Sequence, residues 1–308
     1  MPNSACSTLA DSSRDQHSSK VPRIIELPDG RRIAFAEYGD PTGVPVIFCH
    51  GWPATRLQAG LLHDDACDFG ARIIAPDRPG VGFSSAQPGR TLTDWPQFLT
   101  ELTNALDLEE FRVLGVSGGG PYALASAWGL PDRIPAVSVV CSAPSLAERE
   151  DVSSLNPAYQ WLLRTHRRRP SALRWLFRVA RPLSRVHPPP WLRARMLRSL
   201  PVPEAETLAD DAIFEACFRN YRESWRGGAD GLYFDASIYA EPWGFALEDI
   251  RVPVRLWHGK DDRNFSWELA EEMAGRLPNC TPRFIENEAH YSLAIRRRRE
   301  ILADLLAA

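Results

Sequence analysis

An α/β fold, built on a doubly wound and largely parallel sheet and split by a helical insertion, is what this sequence predicts. Three observations carry the prediction. Short apolar runs rich in Val and Ile recur along the chain, of the kind that suits strands buried on both faces. Segments with helical patterning lie between those runs, and strand–helix alternation generates parallel sheets. The alternation then stops for about a hundred residues, over 145–245, before strand patterning resumes near Val252.

Taken in order, residues 1–20 are rich in Ser, with Asp and Asn among them, and lack the apolar stretch of a secretory signal, which predicts a disordered tail. Strands are expected at 23–27 and 31–38, around the turn signal Pro28-Asp29-Gly30. Further strands are expected at 44–49, 71–75, 111–116, 134–141, 252–257 and 282–285. Helices are expected at 55–69, 92–106, 119–128, 266–277 and 290–306, with Asp94 and Ser266 as N-caps. The α/β core is therefore assigned to 21–144 and 246–308, and the insertion to 145–245. Inside the insertion, 172–181 gathers Leu173, Leu176, Phe177 and Ala180 on one face and Arg174, Arg178 and Arg181 on another. Pro182 and Pro188-Pro189-Pro190 interrupt, and a helix at 191–200 is stopped by Pro201. A last helix, 208–226, carries Phe214, Phe218, Tyr221 and Trp225 and ends at Gly227-Gly228.

Composition narrows the function. The chain has 308 residues and a net charge of −3, too small to advertise nucleic-acid binding, and no binding motif for nucleic acid is present. No apolar run is long enough to span a membrane. Six cysteines lie far apart with no metal-ligand spacing and read as reduced thiols of a cytoplasmic protein; Cys49 and Cys141 end apolar runs, as small buried side chains do. Basic charge is concentrated: eleven arginines and no carboxylate occur between Val152 and Pro203. Such a stretch reads as a solvated face paired with acids elsewhere, or as an attractor for an anionic substrate, a phosphopantetheine arm or an acidic membrane surface. The amphipathic helices of the insertion either pack on the core or offer a surface for a homodimer.

The chemistry is concentrated in Gly115-Val116-Ser117-Gly118-Gly119, which follows a strand and precedes a helix. A serine hydroxyl acts as a nucleophile when a sharp turn lifts it out of the sheet, and small residues two before and two after allow that turn to pack. By chance, Gly-x-Ser-x-Gly occurs in about one 300-residue chain in ten; the strand–turn–helix context is what makes it informative. No dinucleotide fingerprint or phosphate-binding loop is present. A nucleophilic serine needs a base, and the base an orienting acid. His17, His63, His166 and His187 lie in the tail, a surface-like helix or the arginine-rich insertion, and His50 and His258 precede Gly at strand ends. His290 remains, just after the last strand. The acid is expected after the preceding strand, where Asp261 and Asp262 compete.

With these pieces in order, the chain resembles the α/β-hydrolase superfamily, in the subgroup with a helical cap and a His-Gly-x-Pro motif. The matching segments are His50-Gly51-Trp52-Pro53, the run Pro76 through Ser84, Gly115 through Gly119, His258-Gly259-Lys260-Asp261-Asp262, and His290. The resemblance selects Asp262 over Asp261 as the acid. It also implies that Trp52 and Gly118 supply the backbone N–H groups of an oxyanion hole, and that the insertion is a cap over the site. Relatives that open epoxides or remove halogens carry Asp at the elbow, and Ser117 argues against both. The expected function is a serine hydrolase, without metal or organic cofactor, acting on an ester or lactone of a small, mostly apolar molecule. An amide, peptide or C–C bond hydrolase or a lyase using the same triad, and a non-catalytic ligand receptor on the same scaffold, are the alternatives.

Overall fold

The computed structural model describes residues 21–147 and 149–308, so the disordered tail expected at 1–20 lies outside the described residues. Strands β1 (Arg23–Glu26) and β2 (Arg32–Gly39) form a hairpin closed through Gly30, which has a φ of 83°. With β3 (Val44–Cys49), β4 (Ala71–Pro76), β5 (Arg112–Val116), β6 (Val137–Val140), β7 (Val254–Gly259) and β8 (Cys280–Ile285), they make one sheet in the order β1-β2-β4-β3-β5-β6-β7-β8. β1 and β2 run antiparallel to their neighbours, and all other pairings are parallel. Burial on both faces holds for the central strands, where all of β6 is buried. It fails at the two edges, β1 and β8, each of which has only one strand neighbour and leaves residues exposed.

Helices cover both faces. On one lie α1 (His63–Asp68) and the C-terminal pair α11 (His290–Arg296) and α12 (Arg298–Leu306), with Ala66, Leu293, Leu302 and Leu305 packed onto Phe48 and Val140. On the other lie α2 (Trp95–Ala105), α3 (Gly120–Gly129) and α10 (Trp267–Arg276), whose Leu99, Leu102, Tyr122 and Leu269 pack onto Ile47, Val113 and Leu256. Between β6 and β7 the chain forms α4 (Pro157–Arg168), α5 (Pro170–Ala180), α6 (Pro190–Arg198), α7 (Val202–Ala209), α8 (Asp211–Ser224) and α9 (Ala229–Ser237). This segment has its own small core of Leu173, Phe177, Trp225, Leu232 and Tyr233.

Several local expectations are corrected. The helix expected at 55–69 opens as a 3-10 turn, Arg56–Leu62, because Arg56 turns inward and its N–H and guanidinium both donate to the buried Asp77. The last helix divides at Arg297, which lets Leu293, Ile301 and Leu305 all bury. Asp94 does not cap α2; its carboxylate accepts from the backbone N of Thr91 at 2.7 Å, one turn earlier. Ser266 stands at the N-cap of α10 without a side-chain hydrogen bond. Prolines read as breakers begin helices instead: Pro190 opens α6, and Pro201 immediately precedes α7. A ring without an N–H is tolerated in the first helical turn, where that donor has no partner. Finally, Leu176 is exposed although Leu173 and Phe177 on the same helix are buried. Cys49 and Cys141 are buried free thiols and Cys217 and Cys280 are free as well, but Cys67 is disulfide-bonded, which corrects the expectation that all the cysteines are reduced.

Candidate active site

The strand order reverses between β3 and β5, since the chain moves from β3 to one side for β4 and to the other for β5. The crevice at the carboxyl ends of strands flanking such a switch point is where open α/β sheets bind ligands. His50-Gly51-Trp52 leaves β3 there, and Ser117 leaves β5. Ser117 has a φ of 55°, a left-handed conformation that an L residue holds only when its surroundings enforce it. The enforcement comes from close packing. A Cβ on Gly115 would meet Ala123 Cβ at 2.7 Å, and one on Gly119 would overlap the carbonyl of Cys49. Tyr239 Oη donates to Gly118 O at 2.9 Å, and Ala143 N donates to Ser117 O at 3.0 Å.

The loops after β7 and β8 converge on that serine. Asp262 is buried; its Oδ1 accepts from Asn264 N at 2.7 Å and Phe265 N at 3.2 Å. Its Oδ2 lies 2.7 Å from His290 Nδ1, and His290 Nε2 lies 2.8 Å from Ser117 Oγ. A carboxylate at Nδ1 holds the ring proton there, so Nε2 accepts from the serine hydroxyl. Burial alone would raise the pKa of Asp262, but the charge and hydrogen bond of His290 outweigh it and hold the carboxyl below its ordinary value. Burial disfavours the His290 cation, yet Asp262, with a smaller contribution from Glu204, raises its pKa above the ordinary histidine value. Asp261, the competitor, is exposed, and its backbone N donates to Glu288 O at 2.9 Å.

Trp52 and Gly118 lie close together, a Cβ on Gly118 meeting Trp52 Cβ at 3.0 Å, and both line the cavity that Ser117 enters. The indole of Trp52 donates to Leu232 O at 3.1 Å and packs near Phe177, so it ties the β3 loop to α9 while also lining the cavity. The other histidines sit as follows. His50 is fully buried, with Nδ1 2.9 Å from Gly51 O, and burial beside Arg78 keeps it neutral. His258 donates from Nε2 to Phe265 O at 3.0 Å, and burial lowers its pKa. His166 faces Tyr233 and lines the cavity, a placement its arginine-rich neighbourhood did not suggest. His63 accepts from Gly39 N at 3.0 Å, and His187 lies 2.6 Å from Glu215, both away from Ser117. Cys141, His258 and Asp262 bring ligand-type atoms within 4.8 Å of one another. Burial and then Asp262 push the Cys141 thiol well above its usual range.

Three carboxylates at the site carry no local signal in the sequence. Glu204 of α7 is buried and its Oε2 accepts from Tyr291 N at 3.1 Å, at the start of the helix that bears His290. Burial raises its pKa, and its neighbour His290 opposes that rise. Asp235 of α9 is fully buried; it accepts from Arg78 Nη2 at 2.7 Å, Arg90 Nη2 at 2.6 Å and Tyr122 Oη at 2.8 Å. The same Arg78 guanidinium donates to His50 O and, at 2.8 Å, to Gly51 O, so α9 and the β3 loop share one ion cluster. Glu223 of α8 meets Arg56 at 3.0 Å, which in turn pairs with Asp77 at 2.8 Å.

Two cavities meet at Ser117, Trp52 and Tyr159. The smaller, about 80 Å³, is lined by Gly118, Leu163, Phe177 and Tyr239 and stays clear of His290. The larger, about 490 Å³, is lined by His290, Glu204, Phe214 and Tyr221 and extends to Val186 and Met196. A polar open groove of about 920 Å³ runs past Lys260, Asp261 and Glu286 on the outer side of Asp262, but includes neither Ser117 nor His290.

Comparison with known proteins agrees with this geometry at the level of fold. The family model described as alpha/beta hydrolase fold matches residues 44–295. An uncharacterized hydrolase of Bacillus subtilis, YcgS, is 25% identical over 255 residues, covering 81% of this chain and 86% of that protein. An esterase from Exiguobacterium antarcticum superposes with a TM-score of 0.67 at 20% identity, covering 94% of this chain and all (100%) of that one. A thermophilic esterase from Thermogutta terrifontis gives a TM-score of 0.64 at 21% identity, over 93% of this chain and 98% of the other.

Proposed function

Since the chain belongs to the alpha/beta hydrolase fold family, we propose that it is a serine hydrolase cleaving an ester or lactone of a small, mostly apolar substrate through an acyl-enzyme. The observation that carries the reading is the chain of contacts from Asp262 to His290 at 2.7 Å and from His290 to Ser117 at 2.8 Å. Asp262 keeps the proton on Nδ1; His290 Nε2 takes the proton of Ser117 as Oγ attacks the acyl carbon. The developing oxyanion is received by the backbone N–H groups of Trp52 and Gly118, where two preorganised donors lower the barrier by several kcal/mol, roughly 3 for each. The imidazolium then protonates the leaving oxygen, and water clears the acyl-enzyme under the same base. Residues 145–245 act as the cap.

The cavities divide the substrate. The general acid must lie within hydrogen-bond reach of the leaving oxygen, so the leaving group occupies the larger cavity, which includes His290. The acyl group enters the smaller one, whose volume of about 80 Å³ and apolar lining suit a short aliphatic chain. The test is hydrolysis of a panel in which acyl length and alcohol size vary independently, with lactones included and Ser117→Ala as control. Turnover that peaks at short acyl chains and tolerates bulky alcohols, and that vanishes in Ser117→Ala, is the expected result. Binding of panel members without turnover would point instead to a receptor on this scaffold.

A further inference from the structure

Helix α5 is apolar on two sides. Leu173 and Phe177 face the local core, while Ala172, Trp175, Leu176 and Val179 fall within roughly 100° of the opposite part of the circumference and are exposed. Trp175 is 63% exposed, and the pattern continues along the segment with Trp161 at 51%, Leu183 at 71%, Val186 at 62% and Trp191 at 68%. Large apolar side chains exposed together over one segment are unusual for a protein surface that meets only water.

The stretch that carries them holds only basic charge of its own, although carboxylates of α8 and α9 reach part of it. Of the eleven arginines between Val152 and Pro203, Arg174 and Arg178 pair with Asp230, and Arg193 with Asp211. Arg168, Arg169, Arg185, Arg195 and Arg198 have no carboxylate partner among the described residues, so the pairing expected from sequence accounts for only part of the cluster. Val186 and Met196, members of the exposed apolar set, also line the larger cavity that leads to Ser117.

We propose that this face of the helical segment docks on an anionic lipid bilayer, with the mouth of the larger cavity turned toward the lipid. Tryptophans and aliphatic side chains enter the headgroup boundary, and the unpaired arginines meet lipid phosphates. The contact is peripheral, because no helix among the described residues is long and apolar enough to cross a membrane. A second copy of the chain fits the apolar strip but sets two arginine-rich faces against each other. A nucleic acid would satisfy the arginines but leave Trp175, Leu183 and Trp191 in water. An anionic bilayer matches both sets of groups.

The contact does not rest on the serine-hydrolase reading; only the route from lipid to Ser117 does. The test is co-sedimentation of the full chain with vesicles containing phosphatidylglycerol, compared with vesicles of phosphatidylcholine alone. Binding to the anionic vesicles that falls with added salt is expected. The pair Arg195→Gln and Arg198→Gln should lower that partitioning by about twenty- to thirtyfold, given the usual contribution of a basic residue near such a surface. Trp175→Ser with Trp191→Ser should weaken it with an unchanged melting curve. Ser117→Ala should bind like the wild type, so loss of turnover and loss of docking are separately visible. No sedimentation with either vesicle, or concentration-dependent dimerisation that disappears in the tryptophan variant, would overturn the proposal, the latter assigning the face to a second copy.

Discussion

Replacing Asp235 with alanine would remove one carboxylate from α9 and leave two guanidiniums without a counter-ion. The side chains of Arg78 and Asp235 are 0% exposed and that of Arg90 is 5% exposed, so water cannot take the place of the lost acceptor without opening the structure. Removing one partner of a buried ion pair costs about 3–5 kcal/mol, and two cations here depend on the same anion, which puts Asp235→Ala at the upper end. A domain typically holds about 5–15 kcal/mol in total, so the variant should retain its fold with a much reduced midpoint in urea. Replacing Arg78 as well, as Arg78→Met with Asp235→Leu, should recover only part of that loss, about 1–2 kcal/mol, because one cation no longer needs a partner while Arg90 still lacks its counter-ion. Turnover should not recover with it. Arg78 also donates to His50 O and Gly51 O, which position the backbone ahead of Trp52. Urea unfolding and ester hydrolysis measured on the same preparations separate the two effects. An Asp235→Ala loss below about 1 kcal/mol, or full turnover in the double variant, would refute the cluster as a buried tie between α9 and the β3 loop.

Other consequences follow from the same geometry. Asp262→Asn should cost roughly 10³–10⁴-fold in kcat by favouring the wrong histidine tautomer, while Asp261→Asn, at an exposed position, should leave kcat within about twofold; equal effects would place the acid elsewhere. His290 acts as a base only when neutral and its pKa is raised, so kcat/KM should fall as pH drops through a midpoint above the ordinary histidine value of about 6.5. Glu204→Gln keeps an acceptor for Tyr291 N but removes a negative neighbour of His290, and the midpoint should move to lower pH; an unmoved pH profile would limit Glu204 to a structural role. Gly119→Ala forces a methyl group against Cys49 O and should destabilise the elbow by about 1–3 kcal/mol or more, read as a lower melting temperature.

The sheet was legible because its signal is local. Central strands buried on both faces write continuous Val- and Ile-rich runs, as in Val137–Val140, and the strand–elbow–helix passage at Gly115 through Gly119 needs small residues at fixed offsets. His290 was singled out by its place in the chain and Asp262 over Asp261 by resemblance; the structure puts Asp262 2.7 Å from His290 and His290 2.8 Å from Ser117. Other features had no local trace. Glu204 meets Tyr291 from 87 residues away and Asp235 meets Arg78 from 157 away, each on a helix whose own pattern makes the carboxylate look like a solvated face. The helix Val202–Ala209 was hidden behind Pro201, read from sequence as a stop although a proline is tolerated where a helix begins. Amphipathic patterning put Leu176 on one face with Leu173 and Phe177, yet Leu176 is exposed and the other two are buried; periodicity locates apolar residues on a helix but does not tell which apolar arc faces protein.

The account turns on Ser117 as the nucleophile, and a fluorophosphonate probe interrogates that atom directly. Intact and peptide mass spectrometry of the labelled protein should find a single adduct, on Ser117, formed rapidly at neutral pH and slowed severely in His290→Ala. No adduct on the folded protein, or an adduct on any other residue with Ser117 unmodified, would contradict it.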